Sequence, residues 1–405
     1  MSFEIRPITD DDWPAFIRTD QAGFGMVPNA DLLDPARRPW PLDRSVATFE
    51  DGEVVGCAAA YPMELTLPGL RTEPCAGVTY VSVLPTHRRR GVLSGMMRHQ
   101  LADIRERGEV VASLLASESV IYGRFGYGLA TRASERRIDR RHTQIRAELD
   151  REVAGRVRLL DADDARKVLP DVHDRSRAQQ PGDMSRTDGW WSAWFRRPKE
   201  DRFFAVYESA AGEAEGFAVY KVKPGSDWLS SGTVQVAGLV SASADAYLAL
   251  WRYVCDIDLT NTIELSNRPV AEPMEWMLVD HRRLETSRQS DFLWIRLVDL
   301  AAALGARTYA TDDRFVIEVV GDPLCPWNEG RWALDTGREG GSCARSTDEV
   351  DLTVPVTALG AAYLGGSSLA EMARAGLVSE RAPGIAARAD SALRTDPGPW
   401  CQTHF

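Results

Sequence analysis

Residues 78–101 read VTYVSVLPTHRRRGVLSGMMRHQL. The β-rich run from Val78 to Val83 is bounded by Pro85, which marks a strand. Beyond Gly91, apolar residues recur at helical spacing at Leu93, Met96, Met97 and Leu101. Three arginines and a glycine thus stand where a strand gives way to a helix. A helix start leaves N–H groups unpaired and carries the positive end of the macrodipole, so it attracts anions such as pyrophosphate. Gly91 lets a ligand approach the backbone because no Cβ blocks it, and arginines add charge-assisted contacts to phosphate. Two readings follow: a pyrophosphate cradle, or arginines decorating an exposed helix start.

Outward from this stretch, the flanking segments alternate in type. FEIRPITDDDWPAFIRTDQAGFG gives a short strand and an Asp-capped helix, and SVATFEDGEVVGCAAAYPMEL a hairpin turning at Asp51-Gly52. EVVASLLAS is a further strand, and ESVIYGRFGYG a short helix and turn. This order within about 130 residues is that of an α/β domain. The charge-rich RASERRIDRRHTQIRAELDREVAGR is expected to be a solvent-facing strand and connector. The pattern then recurs at an offset of roughly 150 residues, in VRLLDADDARKVLPDVHDRSR, the hairpin RFFAVYESAAGEAEGFAVYKV, and GTVQVAGLVSASADAYLALWRYVCDI. The second strand-to-helix junction, LVSASADAYLAL, has neither an arginine cluster nor a glycine at the turn, so only the first copy is expected to hold a cofactor. Near residue 290 the character changes to a third, α+β domain.

Composition narrows the chemistry. The six cysteines form no C-x-x-C pair and the six histidines no H-E-x-x-H, so no metal site is signalled. A net charge of −11 argues against general nucleic-acid binding and suits cationic small molecules or basic protein surfaces. The N-terminus lacks the basic and apolar regions of a signal peptide, and no apolar run nears the ~18 residues of a membrane span. A cytoplasmic protein is the expectation.

Arg88-Arg89-Arg90-Gly91-Val92-Leu93 resembles the acetyl-coenzyme A signature of the GNAT (GCN5-related N-acetyltransferase) superfamily, R/Q-x-x-G-x-G/A, with Leu93 in place of the last small residue. SVIYGRFGYG is similar to the superfamily's Tyr-x-x-x-Gly-Phe turn, with Tyr122 at the general-acid position and Gly126-Tyr127 at the Gly-aromatic position. Together, PTHRRRG and ASESVIYGRFGYG resemble the Eis-type (enhanced intracellular survival) N-acetyltransferases over the entire chain. The resemblance implies a multidomain α/β (α+β) fold: a catalytic GNAT domain at 1–150, a degenerate GNAT-like domain at 151–288, and a sterol-carrier-like α+β domain at 289–405. It implies acetyl-CoA as co-substrate and no metal. Val81, Ser82 and Val83 would offer backbone groups to the pantetheine arm. Arg89, Arg90, Gly91, Val92, Leu93 and Ser94 would line the pyrophosphate, with Ser117 and Glu118 beside the cofactor. Tyr122 would be the general acid and the main-chain carboxylate of Phe405 the base, acting on an amine in a ternary complex.

On the acceptor side, Phe24, Trp40 and Tyr80 are candidate pocket aromatics, with core packing as the competing reading. The family's best-known activity, acetylation of aminoglycosides, is assisted by acidic groups. Met26 and His404 stand at two of those positions, which weakens the pull on a polycation. The resemblance leaves open an amine-bearing small molecule or a protein lysine as acceptor, and it implies a homo-hexamer. Lipid binding by the third domain is the non-enzymatic alternative.

Overall fold

The structure, a computed structural model, describes residues 3–27, 29–149, 151–196, 202–225 and 231–405. Strands β1 (Glu4–Pro7), β2 (Ser45–Glu50), β3 (Glu53–Thr66), β4 (Thr72–Val83), β5 (Val111–Leu115) and β6 (Gly128–Leu129) belong to a first sheet. A second sheet contains β7 (Arg132–Asp139), β8 (Gly155–Leu160), β9 (Phe203–Ser209), β10 (Ala214–Lys223), β11 (Gly232–Ser241), β12 (Thr260–Arg268) and β13 (Glu285–Asp291). Strand β14 (Leu293–Leu297) returns to the first sheet, whose order is β1-β2-β3-β4-β5-β14-β6. The second runs β13-β7-β12-β11-β10-β9-β8. Five later strands within residues 313–380 make a third sheet.

The β2–β3 hairpin turns where expected: Asp51 and Gly52 both have positive φ, 50° and 85°, the conformation a tight two-residue hairpin requires. The repeat is visible as two β-α-β units. In the first, β4 pairs in parallel with β5 from Cys75–Val111 to Val78–Leu114, with helix α2 (Val92–Glu106) crossing between. In the second, β11 pairs in parallel with β12, and the crossing helix is Ala244–Cys255.

The two halves exchange strands across the domain limits read from sequence. Strand β7, inside 1–150, is hydrogen bonded between β12 and β13 of the second sheet. Strand β14, inside 289–405, lies between β5 and β6 of the first. The charge-rich β7 does not merely face solvent: Ser134, Arg136 and Ile138 are buried in alternation, and Ala133 is buried beside them. The Arg136 guanidinium meets Glu275 at 2.6 Å and the Val270 carbonyl at 2.6 Å. On β14, alternate apolar side chains are buried with Arg296, which pairs with Asp322 of the third domain at 2.5 Å. A Cβ at Gly126 would stand 2.7 Å from Arg296 Cζ, so that glycine turn is packed onto the third-domain junction.

Each face of the first sheet carries its own core. Helix α1 (Trp13–Gly23) covers one face, with Trp13, Phe16, Cys57, Met63 and Phe405 in its cluster. Helix α2 covers the other, with Ala76, Val78, Met96 and Tyr122.

Candidate active site

The site begins where β4 outruns β5. Parallel pairing stops at Val78–Leu114, whereas β4 continues to Val83. One strand edge is thereby left open, the crevice at strand C-termini where α/β folds place ligands. A β-bulge sits at this point: Ala59 pairs with Thr79 but Cys57 with Ser82, and Tyr80 adopts φ 52°. Val81 and Val83 pack toward α2. Ser82 turns to the other face, where its hydroxyl donates to the Asp20 carbonyl at 3.3 Å.

The chain then makes a short turn at Pro85–His87 and enters α2 through Arg89 and Gly91, with φ 63° and 86°. Gly91 is the N-cap and supplies no side-chain cap; the first turn closes from Gly95 N to Gly91 O at 3.0 Å. A Cβ built at Gly91 meets nothing within 4 Å, so space lies open before the helix start. Uncapped N–H groups, open space and a helix dipole fit a phosphate. The three arginines have separate tasks. Arg88 donates to the Gly23 carbonyl at 2.7 Å and ties β4 to α1. Arg90 pairs with Glu50, which also meets His87 Nε2 at 2.8 Å and is held below the usual carboxylate range chiefly by Arg90. Arg89 is exposed and has no ion-pair partner among the described residues. Val92 is buried, and Leu93 and Ser94 are partly buried behind the helix start. Ser117 and Glu118 lie exposed beyond the end of β5.

The second copy is built differently at the same point. Ser243 caps its helix by accepting from Ala246 N at 3.2 Å and donates to Glu215 at 2.6 Å. That helix start is already satisfied and faces carboxylates, which disfavours phosphate.

Tyr122 closes the short helix α3 (Ser119–Tyr122) and is buried on the α2 face, edge-on to Tyr127 with ring centroids 6.0 Å apart. Burial pushes its hydroxyl up to about 12, and the charge of Glu118 adds to this. Phe405 lies on the opposite face, where a Cβ at Gly77 would stand 3.3 Å from its ring. It borders a cavity of about 620 Å³ whose other aromatic walls include Trp13, Tyr61, Tyr80, Trp190 and Trp194. Asp31, Arg37 and Arg196 give this cavity mixed charge, and His404 also lines it.

Of the three acceptor-pocket aromatics proposed from sequence, Tyr80 lines this cavity. Trp40 is buried one layer behind it, with ring centroids 4.6 Å apart, and donates from Nε1 to Ser45 Oγ at 2.8 Å. Phe24 caps the end of α1 at 48% exposure and does not border the cavity; neither does Met26. Sequence reasoning passed over Asp31 and the second-domain helix Asp188–Arg196, DGWWSAWFR, which brings in Trp190 and Trp194. Its surplus of aromatics for a nine-residue helix was the available signal. Among the described residues no cluster could hold a metal ion, and no helix is long and apolar enough to cross a membrane.

Residues 4–130 and 182–297 each match families described as an acetyltransferase (GNAT) domain, and residues 300–402 a sterol carrier protein domain. An uncharacterized N-acetyltransferase of Streptomyces avermitilis is 40% identical over all of both chains. N-acetyltransferase Eis of Mycobacterium tuberculosis is 32% identical over 96% of each. The crystal structure of Eis1 from Mycobacterium abscessus superposes with a TM-score of 0.89 at 35% identity, covering 99% of this chain and 100% of that one. Two GNAT folds, a sterol-carrier-like domain and whole-chain similarity agree: the chain is an N-acetyltransferase and belongs to the Eis family of the GNAT superfamily.

Proposed function

We propose that the enzyme transfers the acetyl group of acetyl-CoA to a primary amine of a small cationic molecule, aminoglycoside-like or polyamine, in a ternary complex. The observation that carries this reading is the pairing of an open, uncapped helix start at Gly91 with a chain terminus delivered to an aromatic cavity. When bound, acetyl-CoA supplies the thioester carbonyl that the acceptor nitrogen attacks. Arg89 and the N–H groups from Gly91 to Ser94 hold its pyrophosphate, and the open edge of β4 at Val81 and Val83 receives the pantetheine arm. Ser82, Arg90, Ser117 and Glu118 frame this track.

The acceptor enters from the α1 face, where the Phe405 carboxylate takes a proton from the attacking amine and Asp31 attracts its charge. Tyr122 acts from the other face, through the gap where β4 and β5 have parted. With its pKa near 12 it stays protonated at neutral pH. Outright transfer to a thiolate of pKa ~8.5 is uphill by about 5 kcal/mol, so the hydroxyl works by a hydrogen bond that strengthens as charge gathers on sulfur. Arg37 and Arg196 temper the cavity's attraction for highly charged polycations. Lysine side chains of proteins are the competing acceptors. The lipid-carrier alternative gains no support from the third domain, whose apolar hole, bordered by Phe315, Leu334 and Leu359, measures about 20 Å³, room for one water. A homo-hexamer belongs to this proposal and is checked by light scattering.

The test is release of free coenzyme A from acetyl-CoA across aminoglycosides, other polyamines and lysine peptides, with wild type and Tyr122→Phe. The expected result is transfer to small amines, lowered about 10²–10⁴-fold in Tyr122→Phe. Acetyl-CoA binding without transfer to any amine would overturn the reading.

A further inference from the structure

Within residues 398–404, Trp400, Cys401 and Thr403 are buried, and the segment is held largely by the second domain. Beyond the end of the β11–β12 pairing at Val236–Leu265, the place that matches the open edge of β4 in the first copy, Trp400 borders a cavity with Leu239, Ser241 and Arg268. Trp400 Nε1 donates to Asn267 Oδ1 at 3.3 Å, Asn267 Nδ2 donates to the Cys401 carbonyl at 3.2 Å, and the Arg268 guanidinium lies 5.0 Å from the Trp400 ring. The next residues fasten to the loop at 181–186. Asp183, fully buried, accepts from Gln402 N at 2.8 Å and from Gln402 Nε2 at 3.0 Å. Arg186 donates to the Gln402 carbonyl at 3.0 Å, and Trp190 Nε1 to the His404 carbonyl at 2.8 Å.

The same loop is anchored to the catalytic domain. Thr66 N donates to the Asp183 carbonyl at 2.9 Å, Gly182 N to the Thr66 carbonyl at 2.8 Å, and Ser185 N to the Glu64 carbonyl at 2.9 Å. The loop therefore lies between the end of β3 and the tail, and fixes one relative to the other. A free chain end loses its order unless tied down; here successive tail residues are tied.

We propose that the second domain, whose own helix start is capped and faces carboxylates, serves as the seat of the C-terminus, with Asp183 and Asn267 as positioning residues that set the Phe405 carboxylate in the acceptor cavity. This rests on the reading of that carboxylate as the base. Neither Asp183 nor Asn267 borders the acceptor cavity or the Gly91 helix start. Their influence on turnover runs through the tail, and small misplacement of a reacting group is costly.

The test is a double-mutant cycle in the full-length enzyme, combining Asp183→Asn with one residue added after Phe405. Asp183→Asn is expected to lower kcat about 10-fold while the acetyl-CoA Kd stays within about twofold. In the lengthened chain, where the carboxylate is already displaced, the same substitution is expected to have no further effect on kcat. Asn267→Asp, which keeps a residue tolerant of its φ of 48° and removes the donor to Cys401, is expected to act in the same way. Unchanged kcat in both single variants, or equal losses in both backgrounds, would overturn the inference. A lengthened chain with full turnover would overturn the base assignment itself, and this inference with it.

Discussion

Phe405 lies against Gly77 in the middle of β4: a Cβ on that glycine would stand 3.3 Å from Phe405 Cε2 and 2.8 Å from Met63 Sδ. The chain terminus thus leans on the strand whose far end carries the bulge at Tyr80, and Ala76 and Val78 on either side face the Tyr122 cluster. Gly77→Ala keeps a strand-compatible backbone, and the flexible Met63 can yield. The ring of Phe405 must then shift by a few tenths of an ångström. Turnover is expected to fall severalfold, to about 10-fold, with acetyl-CoA affinity unchanged. Initial rates and equilibrium binding check this; a loss of binding equal to the loss of rate would contradict it.

The arginines at 88–90 should separate on substitution. Arg89, free of partners among the described residues, is assigned to phosphate. Its change to Ala is expected to weaken acetyl-CoA binding by about 1.5–3 kcal/mol, the worth of a charged hydrogen bond. Arg90→Ala breaks the pair with Glu50 and is expected to weaken binding less. Calorimetric titration of both variants decides between them, and equal losses would mean that the cluster acts only as summed charge.

Asp20 offers a test in stability. Its Oδ1 is buried without a hydrogen-bond partner, and burial raises its pKa to about 7. Below pH ~4 the folded and unfolded chains both carry the proton and no cost arises. As pH rises to 7 the unfolded chain has already ionised, whereas the folded one must ionise in a buried place. Stability is therefore lost across that window, by up to about 4 kcal/mol. Asp20→Asn is expected to flatten the pH dependence. Urea midpoints at pH 5 and 8 measure it, and the same slope in wild type and variant would contradict the assignment.

The strand-to-helix junction with its open helix start was legible because its parts adjoin in sequence: strand, arginines, glycine and helix occupy 24 consecutive residues. The contrast at the second junction was legible for the same reason, since LVSASADAYLAL carries neither an arginine cluster nor a glycine at its turn; the Ser243 cap is what the structure adds. The strand exchange left no local trace. Strand β14 reads as the start of a new domain, and only its pairing with β5, more than 170 residues upstream, assigns it to the first sheet. Charge masked β7 in the same way, because Arg136 is buried against a partner 139 residues away. The aromatic cavity beside Phe405 was the least legible. Its walls come from both GNAT halves and the chain terminus, and Trp40 reads as a pocket residue although it packs behind Tyr80.

One residue added after Phe405 displaces the terminal carboxylate proposed as the base. Acetyl-CoA is then expected to bind with unchanged affinity while transfer to every accepted amine falls about 10²-fold or more, the scale of losing a positioned base. Full turnover by the lengthened enzyme would contradict it.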